Sequence, residues 1–146
     1  MSGIVTGIRP RVQAAISIKS LGLTSKPIWF VVDTGSSFSA VSEADATLIG
    51  IDCSSLPLAK RRAIGFGGFF KPRMVDKQVE LIFIADGKEY RVPRSGFVVI
   101  CPPDNIDAKT KQETTELTPS VLGMDVLSRF DIHVYKKRVE LDLREA

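Results

Sequence analysis

The residues best placed to do chemistry are Asp33-Thr34-Gly35-Ser36, which close the apolar run Ile28-Trp29-Phe30-Val31-Val32. A strand ending in such a turn offers one carboxylate at the rim of a buried element. Two carboxylates facing each other can share a proton, so that one takes a proton from water while the other polarises a carbonyl. The Asp-Thr-Gly triplet occurs once, and nothing later in the chain repeats it. Chemistry of this kind therefore needs a second copy of the chain. Other routes have little to build on. His133 is the only histidine, and no nucleophile motif accompanies it, so a structural role fits it better than a place in a triad. Cys53 and Cys101 lie far apart without a close-spaced metal motif and read as free thiols of a reducing compartment.

The elements that must position Asp33 are mainly strands. Period-two alternation and short apolar runs, bounded by Gly, Pro, Asp and Ser, argue for an all-β domain. Arg11 to Ile18 reads as a strand, Ser20 to Lys26 as a loop, and Pro27 to Val32 as the strand that runs into Asp33. Ser42-Glu43-Ala44-Asp45 has the form of a helix N-terminal capping box with Asp in place of Glu. It predicts a short helix to Ile49 with Gly50 as a left-handed stop. Val79 to Ile84 and Lys88 to Val92 flank Ala85-Asp86-Gly87, a strong hairpin signal. Phe97 to Ile100 reads as a strand buried on both faces. Ile132 to Tyr135 and Val139 to Leu143 predict a second hairpin around Lys136-Lys137-Arg138. Pro102 to Pro119 is polar and long for a connection, which predicts a mobile loop or lid.

Three segments, taken in order, carry a family resemblance. They are Asp33-Thr34-Gly35, the glycine-rich Ala63-Ile64-Gly65-Phe66-Gly67-Gly68-Phe69-Phe70-Lys71, and Val121-Leu122-Gly123 followed by the short helical stretch Met124 to Arg129. In this order they resemble the retropepsins, the single-domain aspartic proteases of retroviruses, retrotransposons and their cellular relatives. The resemblance implies a closed β-barrel with a flap hairpin and short helices after the catalytic turn and after Val-Leu-Gly. It implies a homodimeric endopeptidase in which each chain gives one Asp33 to the catalytic pair. The Thr34 hydroxyl would hydrogen-bond across the dimer, and Gly35 would let the second backbone come close. Ser36 follows the triplet as in pepsin-like enzymes. Its hydroxyl could donate to the outer oxygen of Asp33 and favour the charged form, which predicts an activity optimum on the acidic side. Ile64, Gly65, Phe66, Gly67, Gly68 and Phe69 would form the flap over an extended peptide. Val121, Leu122 and Gly123 would form pocket wall or core under the turn. Asp125 could pass for a second catalytic acid, but its place at a helix start suits a negative charge there.

The chain departs from the family in two places. The segment Pro102 to Pro119 is longer than usual before the third motif, and the hairpin from Ile132 to Leu143 extends beyond the minimal retroviral chain. In retroviral enzymes interleaved terminal strands make much of the dimer interface, so this hairpin puts that arrangement in question.

Composition bounds the rest. The 146 residues predict a single domain over 1–146, with 44% hydrophobic and 25% charged residues as in an ordinary globular protein. The net charge of +3 is mild, and the basic clusters Lys60-Arg61-Arg62, Lys71-Pro72-Arg73 and Lys136-Lys137-Arg138 suit solvated turns and edges rather than a nucleic-acid surface. No apolar run reaches the roughly 20 residues of a membrane span. The first residues lack the pattern of a signal peptide, which points to the cytoplasm. No metal or organic cofactor is implied; the expected partners are a second copy and an extended peptide or unfolded protein segment. The competing reading is a retropepsin-like dimerisation or peptide-binding module with little proteolysis.

Overall fold

The alternating pattern resolves, in a computed structural model, into an extended network of strands. The structure describes residues 2–6, 9–59, 71–85, 87–102 and 106–144. In chain order the strands are β1 (Ser2–Thr6), β2 (Arg9–Ile18), β3 (Leu23–Thr24), β4 (Ile28–Val32), β5 (Ala40–Ser42), β6 (Lys71–Val75), β7 (Val79–Ala85), β8 (Lys88–Arg94), β9 (Phe97–Cys101), β10 (Ser120–Leu122), β11 (Phe130–Val134) and β12 (Arg138–Leu143). Helix α1 (Glu43–Leu48) follows β5, α2 (Ala108–Leu117) precedes β10, and α3 (Met124–Leu127) follows it.

The longest strand organises the rest. β2 pairs through Arg11–Ala14 with β4 and through Ala15–Ser17 with β7, so one strand passes from one sheet into the next. Its buried face, Val12, Ala14, Ile16 and Ile18, meets Phe30, Phe83 and Phe130 in the core. Phe83 and Phe130 pack edge to face, with ring centroids 5.6 Å apart, and tie the β7–β8 hairpin to β11.

The sheet does not close. Its order runs β11-β12-β1-β2-β4-β10-β5-β9-β6, with β3 and the β7–β8 hairpin branching from β2. Among the described residues β11 and β6 have no strand beyond them. The closed barrel expected from the sequence is therefore corrected to an open, branched sheet, because β2 hands its pairing from β4 to β7 instead of continuing one ring.

Both predicted hairpins form, β7–β8 in the register Ala85↔Lys88 and β11–β12 in the register Val134↔Val139. Gly87 takes φ 73°, the left-handed conformation that a two-residue turn demands. Half of the capping box forms: Ser42 Oγ accepts from Asp45 N at 3.2 Å, whereas Ser42 N donates to Ser120 Oγ at 2.9 Å and the Asp45 carboxylate accepts from that same hydroxyl. Gly50 takes φ 91° just past the helix.

The long polar connection is a helix over much of its length. Asp107 caps α2, its carboxylate accepting from the backbone N–H and the hydroxyl of Thr110, each at 2.8 Å. A loop was the expectation because this stretch has no apolar stripe; capping and helix-forming Ala, Lys, Gln and Glu make the helix instead.

Cys53 and Cys101 are free and buried, and burial pushes both thiols up, Cys101 to about 12. His133 lies on the exposed terminal hairpin, with Nε2 3.5 Å from Asp142. No described helix is long and apolar enough to cross a membrane.

Candidate active site

β4 delivers Asp33. Its side chains alternate between core and the opposite face, so Phe30 and Val32 anchor the strand while the chain emerges at Asp33. The neighbouring strand is β10, running parallel in the register Phe30↔Ser120, Val31↔Val121 and Val32↔Leu122. That pairing continues one step past the strand, because Asp33 N donates to Leu122 O at 3.0 Å. Two segments some ninety residues apart thus meet at the carboxylate.

The turn closes on itself and then onto α3. Gly35 N donates to Asp33 Oδ1 at 3.0 Å, and Ser36 N donates to Asp33 O at 3.2 Å. Ser36 O accepts from Met124 N at 2.8 Å, which fastens the turn to the start of α3. The Ser36 hydroxyl donates to Phe38 O at 2.7 Å rather than to the Asp33 carboxylate. The expected contact between Ser36 Oγ and the outer oxygen of Asp33 is therefore corrected: the hydroxyl braces the outgoing chain, and the backbone N–H of Gly35 meets the acid. Asp33, Thr34 and Gly35 are all exposed. The Thr34 side chain has no hydrogen-bond partner among the described residues.

Gly123 explains why the third motif needs glycine. A Cβ there would lie 2.8 Å from Phe38 N and closer still to the Phe38 carbonyl group. Only a hydrogen lets β10 pass under the turn. Ser39 completes the lock, its hydroxyl accepting from Gly123 N at 2.9 Å and donating to Asp125 Oδ1 at 2.7 Å. Asp125 also accepts from Val126 N at 2.9 Å and pairs with Arg94 Nη2 at 3.2 Å. Its carboxylate is committed to holding α3 and β8 against the turn.

A cavity of about 660 Å³ opens beside Asp33, with walls from Pro10, Val31, Val32 and Val121, from the end of α2 at Thr114, Leu117 and Thr118, and with Arg9 on its rim. Val121 thus faces this cavity, Leu122 is wholly buried in the core, and Gly123 sits against the Phe38 backbone. A second cavity, of about 570 Å³, lies between Phe38, Asp125, Leu58, Met74 and Phe97 and does not reach Asp33. The expected flap residues Ile64, Gly65, Phe66, Gly67, Gly68 and Phe69 lie outside the described residues. Ser39 and Arg94 were not read from the sequence as parts of this site, and the segment read as a mobile loop or lid enters it as the helix α2. The Asp107-x-x-Thr110 capping pattern was the signal available for the helix.

A family model described as aspartyl protease matches residues 16–126, a span that contains Asp33, the β10 motif and Asp125. The chain belongs to the aspartyl protease family. This aspartyl protease family member is similar in structure to a retropepsin-like aspartic protease from Rickettsia conorii, at 20% identity and a TM-score of 0.53, over 97% of this chain and 88% of that one. That likeness makes the fold retropepsin-like. It is also similar to the EIAV protease complexed with the inhibitor HBY-793, at 14% identity, a TM-score of 0.46 and coverage of 85% and 91%. The retroviral protease-like domain of Ddi1 from Leishmania major matches at 13% identity, a TM-score of 0.45 and coverage of 90% and 94%. No curated protein sequence matches the chain.

Proposed function

We propose that this aspartyl protease family member is a homodimeric aspartic endopeptidase in which two Asp33 carboxylates form the catalytic pair. One observation carries the reading: Asp33 is the only acid among the described residues lining its cavity, and it stands exposed at the end of a rigidly held turn. A lone exposed carboxylate is a weak general base. Two held face to face cannot both ionise cheaply, so they share one proton. The ionised member takes a proton from water as that water adds to the scissile carbonyl, and the protonated member donates to the carbonyl oxygen. A gem-diol forms without an acyl-enzyme; it collapses as the amine leaves with a proton. The pair titrates as a unit. Substrates are extended peptides or unfolded segments, with apolar residues favoured near the cleaved bond.

The exposed, unpartnered Thr34 hydroxyl supports the same assembly, since it is free to bond across to a second turn. The test is cleavage of an unfolded protein from pH 3 to 7 at several enzyme concentrations, wild type beside Asp33→Asn. The expected result is acid-side cleavage that falls at least about a thousandfold in the variant, with specific activity rising with concentration. Equal cleavage by both proteins would overturn the assignment. Full activity at concentrations where sedimentation shows a monomer would overturn the dimer.

A further inference from the structure

The sheet face that carries Asp33 also carries two arginines without an ion-pair partner among the described residues. Arg9 and Arg11 alternate on β2, so their side chains share one face. Arg11 stands opposite Val31 on β4, and Val31 stands beside Val121 on β10. Side chains opposite one another in a ladder lie on the same face. Val31, Val121, Arg9 and Asp33 all line the 660 Å³ cavity. The arginines, the apolar wall and the acid therefore belong to one surface.

Neither guanidinium makes an ion pair with a described residue. The Nε of Arg11 is buried, and it is the one buried side-chain nitrogen or oxygen among the described residues that lacks a hydrogen-bond partner. A buried donor of a permanent cation left without an acceptor costs free energy in the empty protein. That Nε is closed off from solvent. A carboxylate arriving at the cavity meets Arg9 on its rim, whose planar guanidinium suits a two-point grip, while Arg11, outside the cavity lining, adds positive charge on the same face. Leu117, 81% exposed at the end of α2, covers the cavity from the other side with an apolar surface. The site thus offers an apolar wall and a cationic corner beside one catalytic acid.

We infer that the Asp33 cavity selects peptides in which an apolar residue at the cleaved bond lies close to an acidic side chain, read by Arg9 on the cavity rim with Arg11 beside it on the same sheet face. The inference rests on the proteolytic reading for its consequence, while the binding preference stands on the arginines alone. The mild positive charge of the whole chain draws such a segment in.

The test uses three peptides identical except for Glu, Gln or Lys beside an apolar pair, at pH 5.5 and low salt. Cleavage is measured as kcat/KM with wild type, and binding by fluorescence anisotropy with Asp33→Asn. The expected preference for Glu over Gln is about tenfold, the scale of one charge-assisted hydrogen bond. It shrinks with added salt, disappears in Arg9→Gln/Arg11→Gln and turns towards Lys in Arg9→Glu. Cleavage without an acidic preference would overturn the inference and leave the protease standing. Preferential binding without cleavage would do the reverse. Equal binding of all three peptides, or arginine variants that alter only self-association, would remove the inference. Because the peptide charge is varied on unaltered wild-type protein, a variant that fails to fold does not blunt the test.

Discussion

The Asp33 turn depends on a few side chains outside the proposed chemistry. Ser39 is the clearest: one hydroxyl satisfies the N–H of Gly123 and one oxygen of Asp125 at the same time. Replacing it by alanine leaves a backbone donor without an acceptor and a mostly buried carboxylate short of a donor. Ser39→Ala is expected to lower unfolding free energy by about 1–3 kcal/mol, read from denaturant midpoints at constant slope. A midpoint unchanged within error would mean that water replaces the hydroxyl and that the lock is not structural. Asp125, legible in the sequence as the acid at a helix start, occupies that place. Its ties to Ser39 and Arg94 were not legible, because they join residues 86 and 31 positions apart that only the fold brings together.

Among the elements, α2 is where local chemistry and apolar pattern gave different answers. Its residues present no apolar stripe, so periodicity points to a loop, whereas the cap at Asp107 and the helix formers behind it point to a helix. The carboxyl of Asp107 is held below its ordinary value of 3.8 by the backbone N–H and hydroxyl of Thr110. A depressed acid stabilises the folded state above its ordinary value, and the contribution is lost as pH falls through the lower folded value. Amide exchange over residues 108–117 is therefore expected to be slower at pH 5 than at pH 3, after correction for intrinsic rates. In Asp107→Ala that difference should vanish. An identical pH response in the variant would assign it to another group. Since the end of α2 forms a wall of the Asp33 cavity, the same acid that favours the proposed catalysis loosens the wall at its lower limit. The strands fared better: β7, β8, β11 and β12 follow alternation and turn signals, and β4 and β9 follow short apolar runs, all carried by single residues. Their order in the sheet did not, because pairings such as Arg11↔Val31 depend on packing between distant segments.

At the scale of the whole molecule, the terminal strands are already used. β1 pairs with β12 on one side and β2 on the other, so both ends of the chain are built into one sheet within a single copy. In the proposed dimer, a partner that completes the active site need not complete the core. Thermal stability of Asp33→Asn is accordingly expected to be independent of protein concentration over a hundredfold range, although activity of the wild type is not. A melting temperature that climbs with concentration would show that folding and association are coupled. The parallel pairing of β4 with β10 has a further consequence, for synthesis of the chain. The strand that presents Asp33 is held on one edge by β2, but its other edge and the N–H of Asp33 stay unpaired until Ser120–Leu122 has been made, and Gly123 and Met124 must follow to fasten the turn. Closing so long a loop is slow compared with forming the local hairpins. The turn that carries the acid is thus fastened only after that distant segment joins it, later than the local hairpins form.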